Sequence, residues 1–231
     1  MATKLPTLEE MMEAGVHFGH RTRQWNPKMS EYIYGKLEGI HIINLEKTQE
    51  KLQQAVDLLS ESLDKDATIV FVGTKRQAAP VVKAVAEDAG VFYITERWPG
   101  GLVTNFKTIQ SAVKKYEELL EKINDKAYME SVSTKQKYIL LKEAERQGKI
   151  FKGLQGLEKK PDVLVVIDPR REKTAIAEAR KANLPIISIV DTNTDPDMVT
   201  HPIPANDDAL RSIELILNTL GDSIKSKPKG K

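Results

Sequence analysis

Residues 68–72 read TIVFV, and residues 73–90 read GTKRQAAPVVKAVAEDAG. The first run is continuously apolar and β-branched, with no polar alternation, which suits a strand buried on both faces of a parallel sheet. Past the turn-forming Gly73 the spacing predicts a helix over 77–89, closed by Gly90 as its C-cap. A buried strand, a short polar loop and a helix make one βα unit. Comparable runs recur at 91–94 (VFYI), 163–167 (VLVVI) and 186–190 (IISIV). Pro202 to Pro204 is a weaker run that its prolines restrict to a short edge strand.

Helices are expected between these runs. One is predicted over 46–63, before the first strand, and one over 172–182 after the third. Another is predicted over 206–220, opened by the capping cluster Asn206-Asp207-Asp208 and stopped by Gly221. Strands alternating with helices predict a doubly wound α/β fold with right-handed crossovers. The pattern leaves the strand order open.

The connection over 101–160 is too long for one crossover. Phe106, Ile109, Val113, Tyr116, Leu120 and Ile123 step by three and four, an apolar seam of heptad type. After a break at Asn124-Asp125, a second helix is expected over 134–147, with Tyr138, Leu141 and Ala144 packing back. The expectation is an antiparallel two-helix hairpin inserted between the second and third strands. The domain plan is therefore an α/β body from 1–100 and 161–222 with an N-terminal extension, a helical insertion over 101–160, and a disordered basic tail over 223–231.

The 231 residues are 40% hydrophobic and 29% charged, a globular composition. No run approaches the roughly 20 apolar residues of a membrane span, and no apolar signal core stands at the N-terminus. Without cysteine there is no thiol catalysis and no cysteine zinc site. A cytoplasmic location fits. The net charge is only +2, from 35 Lys and Arg against 33 Asp and Glu. Any nucleic-acid surface must therefore be made by local sorting of charge.

Residues 15–29, GVHFGHRTRQWNPKM, show such sorting. Two His, two Arg, one Lys, Phe18 and Trp25 sit among glycines and proline, with no helical or strand period. Arginine forks match phosphate oxygens, and ring or guanidinium planes stack on bases, so the segment suits RNA. A solvated surface loop is the ordinary alternative. Trp25 could stack on a base or pack beneath its own loop; packing is favoured, because base stacking needs an exposed platform.

The expected strand-end loops carry no nucleotide fingerprint. GTKRQA replaces GxGxxG after the first strand, and no P-loop or GxSxG elbow occurs. His17 and His20 could join Asp168, Asp191 or Asp195 around a metal, but nothing in the spacing fixes a ligand geometry. These loops do share cations beside tight turns: Lys75, Arg76, Arg97, Arg170 and Arg171, residues able to neutralise phosphates without reading sequence. A flavodoxin-like nucleotide-binding enzyme is the alternative reading.

Four blocks carry a resemblance: AGVHFGHRTRQWNPKM at 14–29, GIHIINLEKT at 39–48, FVGTKRQA at 71–78 with RWPGGLVTNFKTI at 97–109, and IPANDDALRSI at 203–213. They resemble protein two of the bacterial small ribosomal subunit, the S-two family, and in that family's order along nearly the whole chain. The resemblance implies a flavodoxin-like five-stranded parallel sheet of order 2-1-3-4-5 with an inserted antiparallel helical (coiled-coil) hairpin. It implies a non-enzymatic role: binding small-subunit rRNA, contacting neighbouring ribosomal proteins and helping to dock the mRNA-binding protein S-one in translation initiation. No cofactor, catalytic residue, resident metal, membrane or small-molecule substrate is expected. The expected RNA contacts are Arg21, Arg23, Lys28, Lys75, Arg76, Arg97, Asn105, Lys107 and Lys114. The family commonly carries Leu where Pro99 stands, and a Met or Thr followed by Leu near Leu102-Val103. Proline stiffens that loop and leaves Arg97, Trp98 and Asn105 in place.

Overall fold

A computed structural model describes residues 4–226. The described chain begins with a short helix, α1 (Leu8–Glu13), which Thr7 and Glu10 close with a reciprocal capping box. Next come strands β1 (Phe18–Arg21), β2 (Ile33–Leu37) and β3 (Ile40–Ile43), which form an antiparallel sheet in the order β1-β3-β2. Glu38 and Gly39 join β2 to β3 with φ of 49° and 79°. Both are left-handed, as the two-residue hairpin turn matching strand twist requires. Residues 15–29 thus include one strand, but not a core one: its residues are exposed or half-buried. β1 is four residues long and takes its hydrogen bonds from β3, so it needs no apolar period of its own.

Helix α2 (Leu45–Asp64) starts where the Asn44 side chain accepts from the amides of Glu46 and Lys47. The main sheet contains β4 (Ile69–Val72), β5 (Phe92–Ile94), β6 (Val163–Ile167), β7 (Ile186–Val190) and β8 (His201–Pro204). All pair in parallel, in the order β5-β4-β6-β7-β8, the 2-1-3-4-5 arrangement implied by the resemblance. Helix α3 (Ala79–Ala89) ends at Gly90, whose φ of 65° makes the left-handed cap.

The pleat divides the core. Ile69, Phe71, Val165 and Ile187 face a cluster shared with α2, α3 and the C-terminal helix, while Val70, Val72, Leu164 and Val166 face the other side. That second cluster holds Trp98, Leu102, Leu154 and the apolar residues of α7 (Lys173–Lys181). Burial on both faces is why these strands read as continuous apolar runs.

Residues 106–151 form α4 (Phe106–Asn124), a short α5 (Lys126–Ser131) and α6 (Thr134–Phe151). The α4 seam is buried at Val113 and Tyr116. On α6 the expected packing face holds only at Ala144: Tyr138 and Leu141 are exposed, and Leu140, Gly148, Ile150 and Phe151 are among the half-buried positions instead. Gly148 marks that face, since a Cβ there would stand 2.9 Å from the Tyr116 hydroxyl.

The last helix, α8 (Leu210–Lys225), differs from expectation at both ends. The Asn206 side chain accepts from the amides of Asp208 and Ala209, so the capping cluster is a turn before the helix. Gly221 does not stop the helix; it lets α8 approach Val85 of α3. Ser223 and Ile224 are accordingly buried, and the expected tail does not begin at 223. Its remainder, residues 227–231, lies outside the described residues.

Candidate nucleic-acid interface

The small sheet is fastened to the C-terminal ends of the main strands. Val16 O accepts from the Asn206 amide (3.1 Å), and Thr192 O, just past β7, accepts from the Asn26 amide (2.7 Å). The Thr192 hydroxyl accepts from the His20 amide at 2.8 Å. Met29, fully buried, plugs the core below. Trp25 does not: it is 39% exposed, its ring tilted against His41 with centroids 5.1 Å apart. Phe18, 44% exposed, leans on His17 in the same way at 4.0 Å. Core packing of Trp25 is therefore corrected: the fully buried side chains of this segment are Val16 and Met29, and the indole lies at the surface.

Beneath this segment the strand-end loops assemble a charged cluster. His20 Nδ1 lies 2.9 Å from Asp191 Oδ1, and Lys75 Nζ lies 2.7 Å from both Asp207 Oδ1 and Asp208 Oδ1. Asp168, held at a left-handed φ of 59°, stands 3.9 Å from the same ammonium. The hydrogen bond to Asp191 raises the His20 imidazole above its ordinary value. Burial pushes the Asp207 carboxyl up to about 6, reinforced by the charge of Asp191 and opposed by Lys75. For Lys75, burial works against the charge but the carboxylates of Asp207 and Asp208 outweigh it, so its ammonium is held above its usual value. Ligand atoms of His20, Asp191 and Asp207 lie within 4.8 Å of one another, a spacing one metal ion could span. The Lys75 ammonium already answers one side of that group.

A second assembly underlies the loop after β5. Glu178, on α7 and 9% exposed, accepts from the Trp98 indole (3.0 Å), the Gly101 amide (2.7 Å), the Val103 amide (3.1 Å) and both the amide and hydroxyl of Thr104 (3.2 and 3.0 Å). Burial would raise this carboxyl, yet these donors together hold it below the ordinary carboxylate range. Next to it, buried Glu172 accepts from the amide and hydroxyl of Thr74, and the Arg171 guanidinium donates to the same hydroxyl. Sequence reading missed both glutamates. Glu178 shares its helix face with Ala175 and Ala179, an acidic residue on an apolar stripe, and that was the available signal.

The structure divides the expected RNA contacts into two groups. Arg21, Arg23, Arg76, Arg97, Lys107 and Lys114 are exposed and, among the described residues, form no ion pair within 4 Å. Asn105 is exposed at the start of α4. Lys28, by contrast, pairs with Asp195 (2.9 Å) and Asp197 (2.7 Å), and Lys75 belongs to the cluster above. Two polar clefts adjoin at Arg171. One is lined by His20, Lys75, Asp168 and Arg170, the other by Thr74, Arg97, Trp98 and Gly100. Helix α7 links the clefts to the anchored loop. Lys75, Arg97, Arg170, Arg171 and Lys173 thus line the two clefts together with Asp168, Glu172, Asp207 and Asp208.

The model of the family described as ribosomal protein S2 matches residues 11–226. The small ribosomal subunit protein uS2 of Dictyoglomus thermophilum is 48% identical over 217 residues, covering 94% of this chain and 88% of that protein. The protein of the same name from Coprothermobacter proteolyticus is 44% identical over 97% of this chain and 84% of its own length. Small ribosomal subunit protein uS2c of Rhodomonas salina is 46% identical over 97% of this chain and 92% of its own. The chain belongs to the ribosomal protein S2 family.

Proposed function

We propose that this chain is a structural constituent of the small ribosomal subunit in the cytoplasm, that it binds small-subunit rRNA, and that it helps dock S-one during translation initiation. The observation that carries the RNA reading is that Arg97, Arg170 and Arg171 line the two adjoining clefts with no ion pair among the described residues, while Arg21, Arg23 and Arg76 are exposed and equally unpaired. An unpaired exposed guanidinium is free to exchange its counterions for a phosphate, and that exchange dominates nucleic-acid affinity. Arg21 and Arg23 would meet RNA beside the exposed Trp25, and Arg97, Asn105 and Lys107 from the anchored loop. Arg76, after β4, and Lys114, on α4, would add further exposed cations. Lys28 and Lys75 enter with their charge shared among aspartates and serve chiefly to hold the loops. The role is scaffolding, and no catalytic step is assigned.

The S-one reading is supported by a different face. Leu8, Met12, Tyr34, Ile42 and Leu45 line an apolar groove between α1 and the small sheet, with Met12 58% and Tyr34 80% exposed. Such a face suits a protein neighbour better than a phosphate.

The test is binding of the whole protein to small-subunit rRNA across a salt series. Replacing Arg21, Arg23 and Arg97 by Ala together should weaken binding and flatten the slope of log affinity against log salt, by about one unit per lost contact. An unchanged slope would overturn the RNA assignment. Met12→Glu should reduce retention of S-one on subunits without altering that slope.

A further inference from the structure

We infer that Glu178 is a positioning residue for RNA binding, holding the loop from Arg97 to Lys107 so that its cations point outward together. The inference rests on the RNA reading above. The loop has an inner and an outer side. Trp98, Leu102 and Val103 are buried, whereas Arg97, Gly100, Asn105 and Lys107 are exposed. No helix or strand spans the turn between β5 and α4, and the backbone amides of Gly101, Val103 and Thr104 point inward from it. Glu178 is placed to receive them. One oxygen takes Trp98 and Gly101; the other takes Val103 and Thr104.

The anchor also accounts for the local backbone. Gly101 has a φ of 96°, which glycine tolerates and side chains resist, and its carbonyl accepts from the Asn105 amide at 2.7 Å. Glu178 therefore fixes the residue from which α4 is launched, and with it the placement of Asn105 and Lys107. A buried carboxylate with that many donors is over-determined for packing α7 alone, since an apolar residue would fill the position without needing partners. Its geometry is that of a clamp on the loop.

Glu178→Gln keeps one acceptor oxygen but presents an amide NH2 to donors on its other side. The loop should then spend most of its time away from the binding position, and affinity falls with the competent fraction, by roughly tenfold. The bound contacts are the same once formed, so the salt slope should stay as in the parent. A four-way comparison of the full chain uses the parent, Glu178→Gln, the Arg97→Ala/Lys107→Ala pair, and all three changes together, each titrated with transcribed small-subunit rRNA. The expected result is that Glu178→Gln weakens the parent but adds no further loss once Arg97 and Lys107 are gone. An equal loss in both backgrounds, or no loss in the parent, overturns the positioning role. If Arg97→Ala/Lys107→Ala alone leaves affinity and slope unchanged, the RNA reading of this loop fails, which is a distinguishable outcome. Should Glu178→Gln fail to fold by circular dichroism, Thr104→Val, which removes one donor without changing shape, takes its place in the same comparison.

Discussion

Gly19 lies directly against Thr192: a Cβ on the glycine would stand 2.6 Å from the threonine Cγ2 and 2.7 Å from its hydroxyl oxygen. Both branches of the threonine are in the way, so turning it cannot open the space, and the His41 carbonyl closes the other side at 3.1 Å. The same hydroxyl accepts from the His20 amide. This contact fastens the small sheet, and the arginines beyond it, to the end of β7.

Gly19→Ala should therefore destabilise the protein by about 1–3 kcal/mol, the usual cost of inserting a methyl into a closed contact. Urea unfolding followed by circular dichroism measures it. A midpoint equal to that of the parent would show that the two elements do not touch in solution.

The aspartate cluster sets a pH dependence. Burial and then Asp191 push Asp207 up to about 6 from an ordinary 3.8, so the folded state holds that proton more tightly than the unfolded chain. Its contribution to stability is fully present below pH 3.8 and is lost as pH rises to about 6. His20, raised by Asp191, acts in the same direction: its contribution is present below 6.5 and lost as pH rises through its folded value. The groups facing Asp207 are Lys75, Asp168, Asp191, Asp208 and His20, drawn from β1 and the loops after β4, β6, β7 and β8. The unfolding free energy of the parent, minus that of Asp207→Asn, should fall by on the order of 2 kcal/mol between pH 4 and pH 7. A rise over that range would contradict the burial of Asp207.

The chain has two tryptophans in opposite settings. Trp98 is 7% exposed and bonded to Glu178, while Trp25 is 39% exposed beside His41. Acrylamide should quench the whole protein in two components. Trp25→Phe should abolish the accessible one and leave emission that is blue-shifted and protected. If the quenchable component survives that substitution, the indole is not on the surface.

What could be read in advance follows from where each signal resides. VLVVI and IISIV announce strands because both faces are buried, so their apolarity is local to the run. β1 was not legible: its pairing partner β3 lies beyond β2, and its burial pattern mixes exposed and half-buried positions. Lys75 illustrates the limit at the site. As a residue beside a turn it reads as a phosphate ligand, yet its partners Asp207 and Asp208 come from the far end of the chain. Only the fold brings those charges together. Trp98 and Trp25 show the same dependence, since each rests on what another segment places beneath it.

Gly221 shows how local signals can mislead, and its substitution tests the contact that explains it. Read by itself, glycine near the end of an apolar period is a stop. In the structure α8 continues to Lys225, and a Cβ at 221 would stand 2.6 Å from Cγ1 of Val85 on α3. Gly221→Ala sets two effects against each other. Helix propensity favours alanine by about 1 kcal/mol. Overpacking against a β-branched side chain that cannot turn away costs about 1–3 kcal/mol. The clash should win, leaving the variant about 1 kcal/mol less stable. Val85→Ala opens the space at its own cavity cost, and in that background Gly221→Ala should become neutral or stabilising. The double-mutant cycle, measured by urea unfolding, should therefore show favourable coupling. Additive behaviour, or a stabilising Gly221→Ala in the parent, would mean that α3 and α8 are not in contact at this point and that the glycine is there for another reason.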